Sequence, residues 1–220
     1  MKPKVLVFAS GTANSGGSGF EKLVEASHNG VLSAYIVGVV SNYQNGGVRQ
    51  KADKLSIPFI YFPKPWNAEN YQQIVKDTNA DFFALSGWLK KVRGLDFSTK
   101  FNSKTVFNIH PGPLPRFGGE GLYGHYVHEA VIEAFKKGLI KSSAVTMHFV
   151  DGVYDHGPTF AKINVAIDEF DTAETLGKKV NLYEHAHQAR ITNLVVNGFI
   201  TWDGINKDSL VIPDDHLIEP

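Results

Sequence analysis

Phe107-Asn108-Ile109-His110-Pro111-Gly112-Pro113-Leu114-Pro115 sets an asparagine and a histidine two residues apart at the end of an apolar run. On a strand, that spacing sends both side chains to one face. The prolines at 111, 113 and 115 stiffen the backbone that leaves the strand. A carboxamide can donate to a developing oxyanion, and a neutral imidazole can take a proton from an attacking amine. The pair therefore suits acyl transfer to nitrogen. A satisfied asparagine beside a buried histidine at a strand end explains the same residues equally well. Further along, Asp151-Gly152-Val153-Tyr154-Asp155-His156-Gly157-Pro158 holds two aspartates on a glycine-rich turn. Either could orient His110 and stabilise its protonated form. Spacing alone does not say that the two segments meet.

A second candidate is the loop Ser10-Gly11-Thr12-Ala13-Asn14-Ser15-Gly16-Gly17-Ser18-Gly19. Glycines let backbone amides approach a ligand, and a helix N-terminus presents unpaired N–H groups with a favourable dipole, a seat for phosphate. The loop fits neither the lysine-bearing P-loop nor the dinucleotide fingerprint, and no acidic residue ends the following strand. A ligand-free connecting loop is the alternative. His125 and His128, three apart on a helical pattern, have metal-binding spacing but no carboxylate that completes a set; they read as surface histidines, and no metal is expected. His185 and His187 face differently on their helix. Trp66 and Trp202 read as packing or surface aromatics, and Trp88 as either core or ligand-facing.

These groups need elements to hold them. Val5 to Ala9 is a continuous apolar run, as in a strand covered on both faces. Strand patterns recur at Ala34 to Val40, Pro58 to Phe62, Asp81 to Ser86 and Thr105 to Ile109. Helical patterns lie between them at Phe20 to His28, Val48 to Leu55 and Ala68 to Thr78. The alternation predicts an α/β, doubly wound, mostly parallel sheet. After a helix at His125 to Phe135, strands at Ala144 to Val150 and Phe160 to Ile167 are too closely spaced for a helical crossover, so they pair antiparallel. A helix from Thr172 to Val196 and a short strand at Ile200 to Trp202 follow. One domain over 1–220 is expected: a phosphate-binding half (1–104), a catalytic half (105–203) and a polar tail (204–220).

Composition narrows the functions. Lysine plus arginine and aspartate plus glutamate number 22 each, so no basic field for nucleic acid or anionic lipid exists, and an anionic partner must be small. With no cysteine, disulfides, thiolate ligands and a cysteine nucleophile are excluded. No stretch reads as a signal or a membrane span, and a cytoplasmic protein is the simplest expectation.

Asn108-Ile109-His110-Pro111 with Leu114-Pro115 resembles the signature of the folate-dependent formyltransferases, nearest to the branch that acts on glycinamide ribonucleotide in purine synthesis. The resemblance extends through Ser86-Gly87-Trp88-Leu89, Gly118-Gly119-Glu120-Gly121-Leu122-Tyr123-Gly124, Val127-His128-Glu129-Ala130, His148-Phe149-Val150, Asp155-His156-Gly157-Pro158 and Glu184-His185. It implies a Rossmann-like fold and formyl transfer from 10-formyltetrahydrofolate to a phosphorylated amine. Asn108, His110 and Asp155 would be catalytic, with Asn108 and a protonated His110 stabilising the oxyanion. Gly17, Ser18, Gly19 and Glu184 would hold phosphate and ribose. Gly87, Trp88, Leu89, Lys90, Lys91, Val92, Val150, Asp151 and Asp155 would hold folate. The partners implied are these small molecules, with no nucleic acid or membrane; a homodimer is compatible. The first loop is longer than the family's usual one and has Gly19 where an asparagine is common, which bears on the acceptor. An amino sugar nucleotide as acceptor, or a phosphate-binding module without hydride chemistry, are the alternatives.

Overall fold

A computed structural model describes residues 1–214, and in it seven strands form one sheet in the order β3-β2-β1-β4-β5-β6-β7. β1 (Lys4–Phe8), β2 (Tyr35–Ser41), β3 (Phe59–Tyr61), β4 (Phe82–Ser86) and β5 (Val106–His110) are parallel. β6 (Ser142–Phe149) runs against β5, and β7 (Thr159–Ala166) against β6. The helices are α1 (Ser18–Asn29), α2 (Gly47–Leu55), α3 (Ala68–Thr78), α4 (His125–Lys136) and α5 (Ala173–Val196).

The sheet is covered on both faces because its central strand is apolar on both. In β1, Val5 and Val7 point into a core shared with Phe20, Leu23 and Val24 of α1, Val131 of α4 and Val180 of α5. Leu6 and Phe8 point the other way, into an aromatic-rich core with Tyr71 and Val75 of α3, Phe62, Trp88 and Phe101. Residues 20, 23 and 24 fall on one helical stripe, so α1 buries one face and leaves the other to water. Side chains start two of the helices: Asn67 accepts from the Asn70 N–H, and Thr172 and Thr175 form a reciprocal capping box ahead of α5.

Strand order reverses at β1, whose neighbours β2 and β4 lead in opposite directions. Loops leaving the carboxyl ends of β1 and β4 therefore part, and open sheets of this kind bind ligands in the resulting crevice. β5 ends beside it.

The expected mostly parallel sheet with an antiparallel pair is present, and the strand expected at 200–202 needs correction. The antiparallel region includes β5 with β6 as well as β6 with β7, because apolar spacing reveals a strand but not its direction. Ile200 to Trp202 is no strand of the sheet; Thr201 makes one isolated bridge to Val211, and Trp202 is buried, its indole N–H donating to the Asn206 carbonyl. Beyond 204 the chain forms a 3-10 turn at Lys207–Ser209 and packs Leu210 and Ile212 against the core; residues 215–220 lie outside the described residues. No helix among the described residues is long and apolar enough to cross a membrane.

The β6–β7 connection, which carries Asp155, crosses so close to β6 that a Cβ added at Gly157 would fall on the Phe149 carbonyl. Backbone cannot yield as a flexible side chain does. Gly157→Ala is expected to lower the unfolding free energy by about 2 kcal/mol, measured by denaturant titration. A loss within about 0.5 kcal/mol, the range of an ordinary surface change, would contradict this packing.

Candidate active site

Antiparallel pairing of β5 with β6 sets Asn108 opposite His148 and His110 opposite Thr146. The Asn108 amide nitrogen lies 3.1 Å from His148 Nε2 and 3.4 Å from Asp155 Oδ1. The same carboxylate oxygen is 3.5 Å from His110 Nδ1 and 3.5 Å from His148 Nε2. Its other oxygen accepts from the Gly119 N–H at 3.0 Å. One aspartate thus gathers β5, β6 and the 117–119 loop. To do so it adopts a left-handed backbone, φ 50°, a conformation that aspartate tolerates better than most residues and that its partners hold in place.

Hydrogen positions follow from the acceptors. The Phe117 carbonyl lies 2.8 Å from His110 Nε2 and can only accept, so Nε2 carries the hydrogen and Nδ1 is left with a lone pair. That lone pair faces the Asp155 carboxylate, and two acceptors across 3.5 Å call for a proton between them. Burial is the largest influence on His110 and lowers its pKa below the ordinary histidine value, although Asp155 and the Phe117 carbonyl pull upward. Burial thus favours the neutral ring and Asp155 the charged one; the charged form carries its second proton on Nδ1. For Asp155, burial opposes charge but is outweighed by His148, His110 and the Gly119 N–H, which hold the carboxyl below the usual range. His148 Nδ1 lies 2.7 Å from the Phe149 carbonyl and donates to it, while Nε2 lies between the Asn108 amide nitrogen at 3.1 Å and Asp155 Oδ1 at 3.5 Å.

Asn108, His110 and Asp155 line a cavity of about 610 Å³, within the size range of small-molecule sites. Gly17, Ser18 and Gly19 line it at the N-terminus of α1, and Glu184 lines it from α5, beside Gly87, Trp88 and Leu89. The extra residues of the first loop fold away from this lining. Thr12 to Ser15 form a tight turn closed by the Gly11–Gly16 bridge and docked on α2 through the Gly47 N–H to the Thr12 carbonyl. Gly19 has a packing reason as well: an added Cβ would meet the Gln188 side chain at 2.8 Å and overlap the Ser86 hydroxyl. Glu184 keeps one bond, from Asn181, and burial pushes its carboxyl up to about 7.

Trp88, Lys90, Lys91, Val92, Val150 and Asp155 line a recess on the other side of Asn108. Lys91, Val92 and Gly152 continue it into an open cleft of about 690 Å³, which Asp151 also lines. The Asp151 carboxylate is engaged by His156 at 2.5 Å, so its side chain is not brought to the His110 cluster. Trp88 is mainly a core residue, 7% exposed and stacked on Phe62.

Comparison with known proteins bears on this arrangement. The family model described as formyl transferase matches residues 3–192. The chain belongs to the formyl transferase family. The chloroplastic phosphoribosylglycinamide formyltransferase of Arabidopsis thaliana is 33% identical over 98% of this chain and 74% of the relative. That of Bacillus subtilis is 31% identical over 83% of this chain and 89% of the relative. The crystal structure of glycinamide ribonucleotide transformylase 1 from Symbiobacterium toebii shares the fold, with TM-score 0.80, 22% identity and coverage of 97% and 95% of the two chains.

Sequence reasoning on this formyltransferase passed over two buried histidines. His148 stands in the sequence only as part of the His148-Phe149-Val150 motif; its place opposite Asn108 depends on strand direction, which the sequence does not carry. His128 was read as a surface residue, yet it is 7% exposed, lines the main cavity and has no partner for Nδ1 among the described residues. Burial lowers its pKa to about 4. His125 pairs instead with Glu129 at 3.2 Å, and no three potential metal ligands cluster among the described residues.

The pH dependence has a definite sign. If neutral His110 accepts a proton, kcat/KM falls as pH drops through its pKa, which lies below 6.5. Asp155 raises that pKa, so Asp155→Asn is expected to move the acid limb to still lower pH while lowering kcat about tenfold or more. A limb that shifts to higher pH would contradict the assignment.

Proposed function

We propose that the protein transfers the formyl group of 10-formyltetrahydrofolate to the amine of glycinamide ribonucleotide, a step of purine synthesis. The observation carrying this reading is the position of Asn108, His110 and Asp155. They stand where a cavity bounded by the α1 N-terminus meets a recess bounded by residues 88–92. The names of the Arabidopsis and Bacillus relatives support the acceptor. The turn at Thr12 to Ser15 leaves the phosphate end of the cavity to Gly16 through Gly19.

The recess and the open cleft it leads into offer polar backbone edges to a heterocycle. Val92 is buried, yet its backbone N–H and C=O have no hydrogen-bond partner among the described residues. Bound there, 10-formyltetrahydrofolate supplies an electrophilic formyl carbon. Asn108 keeps one amide hydrogen on His148; the other, loosely held 3.4 Å from Asp155, turns to the formyl oxygen as charge develops on it. His110 Nδ1 takes the proton of the attacking amine and returns it to the departing nitrogen. Asp155, facing Nδ1, stabilises the imidazolium in between. The free amides at the start of α1 hold the phosphate, and Glu184, titrating near 7, can donate to or accept from a ribose hydroxyl. Residence in the cytoplasm belongs to the same proposal, although the Arabidopsis relative is chloroplastic by name.

The test is turnover of 10-formyltetrahydrofolate with a panel of phosphorylated amines, followed by absorbance of the deformylated folate. Glycinamide ribonucleotide is expected to give the highest kcat/KM, and His110→Ala to lower kcat by about a hundredfold or more with the fold intact. Preference for another amine would move the acceptor; undiminished turnover by the variant would overturn the role of His110.

A further inference from the structure

The segment that lines the folate recess, residues 86–92, has no regular structure after β4 ends at Ser86, so something outside it must fix its shape. Two residues do so from opposite sides. Ser10, at the exit of β1, donates its backbone N–H to the Gly87 carbonyl at 3.0 Å, and its hydroxyl accepts from the Leu89 N–H at 2.9 Å. Tyr71 of α3 works from beneath. Its hydroxyl accepts from the Trp88 indole N–H at 2.8 Å and donates to the Lys91 carbonyl at 3.2 Å.

Tyr71 is fully buried, and its ring is held by Phe62 at 4.8 Å edge-on, by Phe101 at 5.8 Å stacked and by Phe8 at 5.9 Å. Burial raises its phenol pKa well above the ordinary tyrosine value, so it stays a neutral donor. It reaches the recess only through Trp88 and Lys91, both of which line it. Ser10, by contrast, lines the main cavity, next to the Gly16 to Gly19 loop.

We propose that Tyr71 is a positioning residue for the folate co-substrate: its hydroxyl sets the spacing between Trp88 and Lys91 and so the shape of the recess wall. This rests on the folate reading above. A rigid aromatic core on one side and two hydrogen bonds on the other transmit the position of α3 to a wall with no ladder of its own. Removing one hydroxyl deletes both bonds and leaves the Trp88 N–H and the Lys91 carbonyl without their partner, while the ring packing stays.

The test compares Tyr71→Phe with wild type in steady-state kinetics on both substrates, with calorimetric binding of a non-reactive folate analogue alongside. The expected result is about a tenfold rise in folate KM and in analogue Kd, with the amine KM and the saturating kcat within about twofold of wild type. Ser10→Ala, which touches both subsites, is expected to raise both KM values. Partial unfolding of Tyr71→Phe would lower apparent kcat and leave both KM values alone, and that outcome overturns the proposal. So does an unchanged folate KM in a variant that turns over normally. Wild type that neither binds the analogue nor turns over would instead overturn the folate reading itself, and the proposal with it.

Discussion

A buried carboxylate facing two imidazoles is the constraint on which the site depends. Asp155 lies in a part of the molecule where charge is costly, and it remains ionised because a backbone N–H, a carboxamide and two histidines surround it. Each partner is fixed in turn by something that cannot rotate away. Phe117 and Phe149 offer carbonyls to His110 and His148, and those carbonyls belong to a proline-stiffened loop and to a strand. The outcome is an imidazole with Nδ1 turned toward a carboxylate: a place prepared to hold a proton.

The sheet makes this convergence possible. Asn108 and His110 reach one face because β5 is a strand, and His148 meets Asn108 because β6 runs against it in register. The reversal of strand order at β1 opens the crevice in which the α1 N-terminus and the 86–92 segment come within reach of that cluster. Two separate cores, one under α1, α4 and α5 and one under α3, hold the sheet from both sides. The chain thus sets Asn108, His110 and His148 on rigid ladder and lines its cavity with irregular segments pinned to that ladder.

Much of this was legible in the sequence, for physical reasons. The apolar run at Val5 to Ala9 reads as a strand covered on both faces, and the helical pattern at 68–78 is α3. The Asn108/His110 spacing announced a shared face. What was hidden depends on three-dimensional direction. Apolar periodicity does not tell whether β6 runs up or down, so the His148 partnership was invisible. Helical spacing does not tell that α4 turns His128 inward against Gly177 of α5. Counting residues shows that the first loop is longer than the family's usual one, but not that the added residues close on themselves at the Gly11–Gly16 bridge. The two aspartates of the 151–158 turn looked interchangeable, and only the left-handed backbone at Asp155 separates the one that reaches His110 from the one held by His156.

The central claim concerns a proton, and imidazole nitrogen NMR observes it directly. In 15N-histidine-labelled protein at neutral pH, the His110 signals should be those of a neutral ring with hydrogen on Nε2 and a bare Nδ1. On acidification, Nδ1 should take up its proton only below the ordinary histidine range. A His110 ring already doubly protonated at neutral pH, or a neutral ring with its hydrogen on Nδ1, would contradict the account.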